Sequence, residues 1–323
     1  MKPPYDIASK ILNLISSISI CIGQIDASQM TRPPGHLRKV NRIRSIHSSL
    51  GIEGNTLTRD QVTALIDKRP VAGPRKDILE VLNAIKVYNH LGAFDPFSPD
   101  SLLGAHAMLM EGLVEKPGRY RTQGVGVFQD SKLVHLAPPA RNVHSQMQDL
   151  FGYLNKPEEN LLIRSCVFHY ELEFIHPFPD GNGRMGRLWQ MLILRSGFPV
   201  FEFVPFESLI KQSQEEYYNV LVECDKAGKS NAFIEYMLGI LDRALSELLD
   251  FNNRILNDSA RLEYFVATGS SDFTRKDYMN VFKNISTATA SRDLKKGTDE
   301  DLLEREGQKN KTTYKIKPPV PTG

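Results

Sequence analysis

The sequence predicts a mainly α protein: a helical bundle that carries one β-hairpin, followed by a small C-terminal winged helix-turn-helix domain. Three observations predict it. Apolar residues recur at helical spacing through most of the 323 residues. Strand-like alternation is confined to one stretch, where Val125, Val127 and Leu133, Val134 flank Gln129-Asp-Ser-Lys132. After residue 250 the texture changes to short helices, a basic segment and a terminal strand at Thr312 to Ile316.

The elements follow in chain order. Ile7, Ile11, Leu14, Ile15, Ile18, Ile22 and Ile25 recur every three or four residues, which predicts an amphipathic core helix. Lys10 and the apolar run after it imitate a signal peptide, but the interspersed serines and the lack of a clean small-x-small site favour the helix. No stretch approaches the ~20 apolar residues of a membrane span. Thr31 to His36 reads as a loop, and a second helix runs from Leu37 towards Leu50 until Gly51 to Asn55 break it. Thr58-Arg-Asp-Gln61 opens a third helix as a capping box. Pro70 to Pro74 precede a helix over Arg75 to Leu91, and Ser98 or Asp100 caps another through Leu113. The hairpin ends before Pro138-Pro139, and helices resume at Asn142. A segment apolar nearly all round, Leu161 to Ile175, belongs at the centre of its domain. His106 and His169 lie on apolar helices and read as core residues. The organisation predicted is a helical region over 1–94, a core over 95–250, a winged-helix-like domain over 251–316 and a disordered tail over 317–323.

Composition sets limits without naming a function. Hydrophobic content of 41% and charged content of 24% are those of an ordinary soluble protein. The net charge of +2 means that any basic surface must be local. Cys21, Cys166 and Cys224 stand far apart with no zinc-ligand spacing, which predicts reduced thiols and a cytoplasmic location.

Chemistry concentrates in His176-Pro-Phe-Pro-Asp-Gly-Asn-Gly-Arg-Met-Gly-Arg187. Pro177 and Pro179 stop the preceding helix and hold an extended loop. Gly181 and Gly183 let the backbone approach a ligand, and a helix with Leu188, Met191 and Leu192 facing the core follows at once. Unpaired N–H groups at its start, together with the helix dipole, make an anion site. Arg184 and Arg187, three apart, share one face and can both reach phosphate oxygens. Asp180 is placed to bind a magnesium ion bridging two phosphates. His176, at the loop entrance, can take a proton from an attacking hydroxyl.

This segment resembles the HxFx(D/E)GNGRxxR signature of the Fic family at every fixed position, and the resemblance extends through most of the chain. It implies a Fic-type helical bundle and transfer of AMP from ATP to a hydroxyl side chain of a target protein. The resemblance implies that His176 is the general base, Phe178 a loop anchor and Asp180 the Mg²⁺ ligand. It implies an anion hole at Gly181, Asn182 and Gly183, with Arg184 orienting the phosphates and Arg187 binding the γ-phosphate. Tyr218 resembles an adenine-contacting tyrosine, and Asp225 lies where relatives often have Asn. The hairpin at 125–136 resembles the family's flap, which docks a target segment as an added strand. A homodimer is also plausible on this resemblance.

Ser49-Leu-Gly-Ile-Glu53-Gly54-Asn55 resembles the (S/T)xxxE(G/N) inhibitory motif of regulated Fic proteins. Glu53 would pair bidentately with Arg187 and deny that guanidinium to the γ-phosphate. A glutamate at a helix C-terminus is otherwise unfavourably placed. In the C-terminal segment, the helix beginning at Phe273, the helix over 286–296 and wing strands at Leu302-Leu303 and Gly307 to Ile316 resemble a winged helix-turn-helix. Thr287, Thr289, Ser291, Arg292 and Lys295 would form a DNA-facing surface. With 12 Lys/Arg against 10 Asp/Glu over 255–323, protein docking or a structural role competes with DNA binding. The leading expectation is an autoinhibited protein adenylyltransferase. The alternatives are a Fic enzyme that uses another nucleotide or removes AMP, and a DNA-binding regulator with a nucleotide-sensing Fic domain.

Overall fold

Four isoleucines decide where the first helix lies. In α1 (Ser9–Ala27), Ile11, Ile18, Ile22 and Ile25 are buried, whereas Ile7 precedes the helix and is exposed. Leu14 and Ile15 are only half-buried, so the buried stripe is narrower than the sequence pattern suggests. The computed structural model describes residues 2–27, 35–129, 132–255, 261–262, 265–266, 272–282, 285–307 and 312–317. The chain divides into two compact units, 1–32 with 40–245 and 33–39 with 246–323.

α2 (Gly35–Ile52), which belongs to the first unit from Val40 onward, starts and ends two residues beyond the expected limits, so His36 is helical and Gly51 lies in the last turn. Thr31 to Pro34 of the expected loop lie outside the described residues. α3 (Arg59–Ile66) opens with the expected capping box between Thr58 and Gln61. α4 (Arg75–Asn89) stops before a short 3-10 turn, Leu91–Ala93. Ser98 caps α5 (Pro99–Leu109). This helix ends before the expected Leu113, because Leu113 N–H bonds back to Met110 in a tight turn.

The hairpin strands are β1 (Gly126–Gln129) and β2 (Lys132–Leu136), antiparallel, with Gly126 opposite Leu136 and an irregularity between Val127 and Phe128. Its tip, Asp130 and Ser131, lies outside the described residues. α6 (Ala140–Leu154) begins after Pro139. α7 (Leu161–Ile175) keeps the predicted limits and is buried on all sides, as its composition requires. α8 (Asn182–Gly197) packs on α7 and is equally deep. Trp189 in its middle has no exposed surface and donates its indole N–H to Pro96 O. α9 (Glu207–Gln212), α10 (Gln214–Ala227) and α11 (Asn231–Ile255) follow. All three cysteines are buried and none forms a disulfide. Among the described residues no helix is long and apolar enough to cross a membrane.

The second unit contains β3 (Asp272–Thr274), α12 (Arg275–Val281), α13 (Thr287–Asp299), β4 (Leu303–Glu306) and β5 (Thr313–Ile316). The strands form an antiparallel sheet in the order β3-β5-β4. Phe265, Phe273, Tyr278, Phe282 and Leu294 fill its core. Beneath α13, Arg261 donates to both oxygens of Asp293 at 2.7 and 3.0 Å, and Tyr278 Oη adds a third bond at 3.1 Å. Removing one member of a buried pair strands the other, so Asp293→Ala should destabilise this unit by about 3–5 kcal/mol. Limited proteolysis should then cut within 272–317 while α7 and α8 stay protected. Of the expected tail only Lys317 is described, and residues 308–311 between β4 and β5 also lie outside the described residues.

Candidate active site

α7 ends at His176, whose backbone takes the left-handed conformation at φ 49°, ψ 59°. A non-glycine residue holds that conformation only where its surroundings impose it. His176 Nδ1 lies 3.3 Å from Glu173 O. A carbonyl only accepts, so the proton belongs on Nδ1 and Nε2 is the basic nitrogen. Past Pro177, the Asn182 side chain spans the loop, accepting from Phe178 N and donating to Phe178 O at 2.9 Å each. That amide is buried, so its contribution to an anion site is its N–H at the start of α8. Gly181 is the N-cap, at φ +88°, and glycine tolerates that angle without strain. It offers no side-chain acceptor, which leaves first-turn N–H groups to an anion.

The two motif arginines diverge. Arg184 Nη1 donates to Glu80 Oε1 of α4 at 3.1 Å and Nη2 to Asp180 Oδ1 at 2.9 Å. Glu80 in turn accepts from Asn55 Nδ2 at 2.8 Å. The two arginines expected to share a phosphate-facing side therefore have different partners in this structure. Arg184 is buried between two carboxylates, because a guanidinium so deep needs partners. Arg187, 1% exposed, turns the other way: Nε donates to Ser49 Oγ at 3.1 Å, and Nη2 to Ser49 O at 3.0 Å and to Glu53 Oε1 at 2.6 Å. The expected bidentate pair is thus a single ionic contact, since Ser49 occupies Nε. Burial works against the charge on Arg187, but Glu53, Tyr217 and Glu173 together hold the guanidinium pKa above its ordinary value.

Asp180 is half exposed, and its Oδ1 accepts from Arg184 and from Gly181 N. His106 fixes the loop from behind. Gly118 N donates to its Nδ1, so its Nε2 donates to Asp180 O at 3.0 Å, and its ring stacks on Phe178 at 3.7 Å. Burial lowers its pKa to about 4, which keeps this tautomer neutral.

Beneath the site lies a buried network. His169 Nδ1 lies 2.7 Å from Gln190 Oε1, and Tyr217 Oη lies 3.0 Å from His169 Nε2 and 3.3 Å from Glu173 Oε1. Burial opposes the charge of Glu173, but the hydrogen bond and charge of His169, with His176 and Arg187 nearby, hold its pKa below the usual range. Tyr218 is half-buried beside Glu53 and Arg187, its pKa raised by burial and then by the negative charge of Glu53. Gly186 lets α8 approach this network: a Cβ there would stand 2.6 Å from His169 Cδ2. That ring is held at both nitrogens, so Gly186→Ala should destabilise the protein by about 1–3 kcal/mol. A melt followed by circular dichroism should show a lowered midpoint.

The structure thus brings His176, Asp180 to Arg184, Arg187, Glu53, Ser49 and Tyr218 into one neighbourhood. Reading the sequence missed Glu80, Arg121, Glu173 and Tyr217, and placed His106 and His169 only as core. A histidine, a glutamate and a histidine at 169, 173 and 176, stepping along one helix face, were the signal available for Glu173.

Comparison with known proteins agrees with this geometry. Residues 96–194 match the Fic/DOC family. A crystal structure of a Fic family protein from Desulfovibrio desulfuricans G20 is 40% identical and covers 99% of both chains, with a TM-score of 0.75. The chain belongs to the Fic family. Among curated proteins, the protein adenylyltransferase Fic of Nematostella vectensis is 28% identical over 63% of this chain and 48% of its own length. That of Culex quinquefasciatus is 30% identical over 63% of this chain and 41% of its own. The chain therefore spans about half the length, or less, of the curated relatives it matches.

Proposed function

We propose that the chain is an autoinhibited protein adenylyltransferase, moving AMP from ATP to a serine, threonine or tyrosine hydroxyl of a target protein and of itself. The observation that carries the reading is the occupied guanidinium of Arg187 at the edge of an N–H-lined helix start. Relatives named protein adenylyltransferases support the donor and the reaction. His176 Nε2 takes the hydroxyl proton while the oxygen bonds to the α-phosphorus; the bond to the β-phosphate oxygen breaks and pyrophosphate leaves. First-turn N–H groups of α8 receive the developing negative charge, and Arg187 binds the γ-phosphate once Glu53 withdraws. Tyr218 contacts the adenine.

Asp180 suits a magnesium ion, because a half-exposed carboxylate is what an ion bound mainly by phosphates needs from the protein. Asp180 would hold such an ion, which would supply neutralisation of phosphate charge. Arg184, paired to Asp180, orients the carboxylate.

The target docks at the hairpin. Among the described residues β1 and β2 form a two-stranded sheet, so each strand has an open edge able to pair with an extended segment. The C-terminal unit is read as a winged helix. Lys315 stands opposite both Asp272 and Glu304, and Lys317 pairs with Asp301. Acids opposite Lys315 in the register, and the Lys317–Asp301 pair, lower the positive potential of the sheet and favour protein docking or a structural role over DNA binding through 286–296.

The direct test is incubation of the Glu53→Gly protein with ATP labelled at either the α- or the γ-phosphorus. Label should reach protein only from the α-position. Transfer of γ-label, or of label only from another nucleotide, would replace this reading.

A further inference from the structure

A single buried guanidinium outside the signature motif holds the loop of His176 and the stem of the hairpin together. Arg121 is 4% exposed. Its Nε donates to His176 O at 2.7 Å, and Nη2 donates to Ile175 O at 3.1 Å and to Pro138 O at 2.6 Å. Nη1 donates to Gln123 O at 2.8 Å, and the Arg121 backbone N–H donates to Pro177 O at 2.8 Å. Four of the five guanidinium donors thus engage four carbonyls in two groups. One group is the end of α7 on which His176 sits. The other is the two legs of the hairpin, where Ala137 N also bonds to Val125 O at 3.3 Å.

The chemistry suits arginine alone. Carbonyls at a helix C-terminus have no partner within the helix and carry partial negative charge, so a cation there is favoured. The planar fork addresses several directions at once, whereas a lysine ammonium is a single point. These bonds also bracket the left-handed non-glycine residue of the loop: the carbonyls before, at and after His176 all accept from Arg121. A conformation that non-glycine residues rarely adopt is therefore held from three sides.

We infer that Arg121 is a positioning residue that fixes the His176 backbone and registers the hairpin, hence any strand added to it, against the His176 imidazole. The inference rests on the adenylyl-transfer reading for what passes between hairpin and histidine. It goes beyond that reading by assigning the coupling to one side chain that touches neither nucleotide nor target.

The test uses the full-length Glu53→Gly protein as parent and adds Arg121→Lys or Arg121→Ala. At saturating labelled ATP, self-modification should slow by at least about tenfold in either variant, as expected for a misplaced base. The ATP concentration giving half the maximal rate should not change. Millimolar guanidinium should restore the rate of Arg121→Ala and leave His176→Ala inactive. Hydrogen exchange followed by mass spectrometry should quicken together at the hairpin legs and at His176 and Phe178. An unchanged rate, or an ATP requirement that rises in step with the rate loss, would overturn the inference. So would faster exchange in only one of the two segments. If Arg121→Ala fails to fold, Arg121→Lys decides by the same readouts. A parent that transfers no label sinks the adenylyl-transfer reading, and the exchange measurement still decides the clamp.

Discussion

Glu53→Gly raises self-modification by on the order of 10²-fold, measured with ATP labelled at the α-phosphorus. The size follows from the pair being broken. Arg187 is 1% exposed and Glu53 28% exposed, with the charged atoms 2.6 Å apart. A partly buried, charge-assisted contact of this kind holds the closed arrangement by roughly 2–4 kcal/mol, and each 1.4 kcal/mol is a factor of ten. Ser49 bonds to the same guanidinium through both its hydroxyl and its carbonyl, so Arg187 keeps partners after the glutamate is gone. Ser49→Ala removes only the hydroxyl bond and should raise the rate by much less. Stability should fall as well, because Arg187 stays buried without its ionic partner; the loss is softened by about 0.3–1 kcal/mol, since Glu53 sits at the negative end of α2 and its charge is unfavourable to that helix. Glu53→Gln keeps the shape and loses the charge, and should fall between parent and glycine variant. A rise of less than about twofold in the glycine variant would show that the contact does not limit turnover.

Proximity also explains why the signature needs a small residue at one further point. A Cβ on Gly183 would meet Glu53 Oε1 at less than contact distance. The same opening that admits the glutamate in this structure is the one proposed to admit a phosphate. On the proposed reading the two occupants would compete for Arg187 and for the space above Gly183, and nucleotide would bind productively only where Glu53 withdraws.

What the sequence made legible depended on how local the cause was. The capping box at Thr58, the ends of α7 and the hairpin strands are set within a few residues, and they appear where composition put them. The catalytic loop was legible because its histidine, acid, glycines and arginines sit within twelve residues. Partners supplied from a distance were not. Glu80 meets Arg184 across 104 residues, and Tyr217 meets His169 across 48. Nothing in helical spacing says which distant acid will neutralise a buried arginine. Arg184 shows the consequence: three residues from Arg187 on one helix, it was expected to share that residue's task. In this structure it is buried beside Glu80 and Asp180 instead of beside Glu53. Glu53 was the exception, found at long range because a short motif, and not periodicity, marks it.

His176→Ala removes transfer while leaving nucleotide binding in place. A positioned general base contributes about 10²–10⁴-fold, and alanine offers no replacement acceptor. The measurement is made in the Glu53→Gly protein, so that Arg187 is available in both parent and variant. ATP affinity, read by calorimetry, should match the parent. The groups proposed to hold phosphates, Arg187 and the first-turn N–H groups of α8, lie beyond a loop pinned by Asn182 and Phe178. The backbone should keep its place too, because the bonds from Arg121 end on main-chain carbonyls and not on the imidazole. Alanine in the left-handed region costs roughly 1–2 kcal/mol, which a modest fall in the melting midpoint would register. Retained transfer with normal affinity would mean that another group accepts the proton. Glu173 is the group to test next, being charged, adjacent to His176 and bonded to the same buried network. Loss of affinity together with transfer would place His176 among the nucleotide's binding contacts instead, and the general-base role would have to be abandoned.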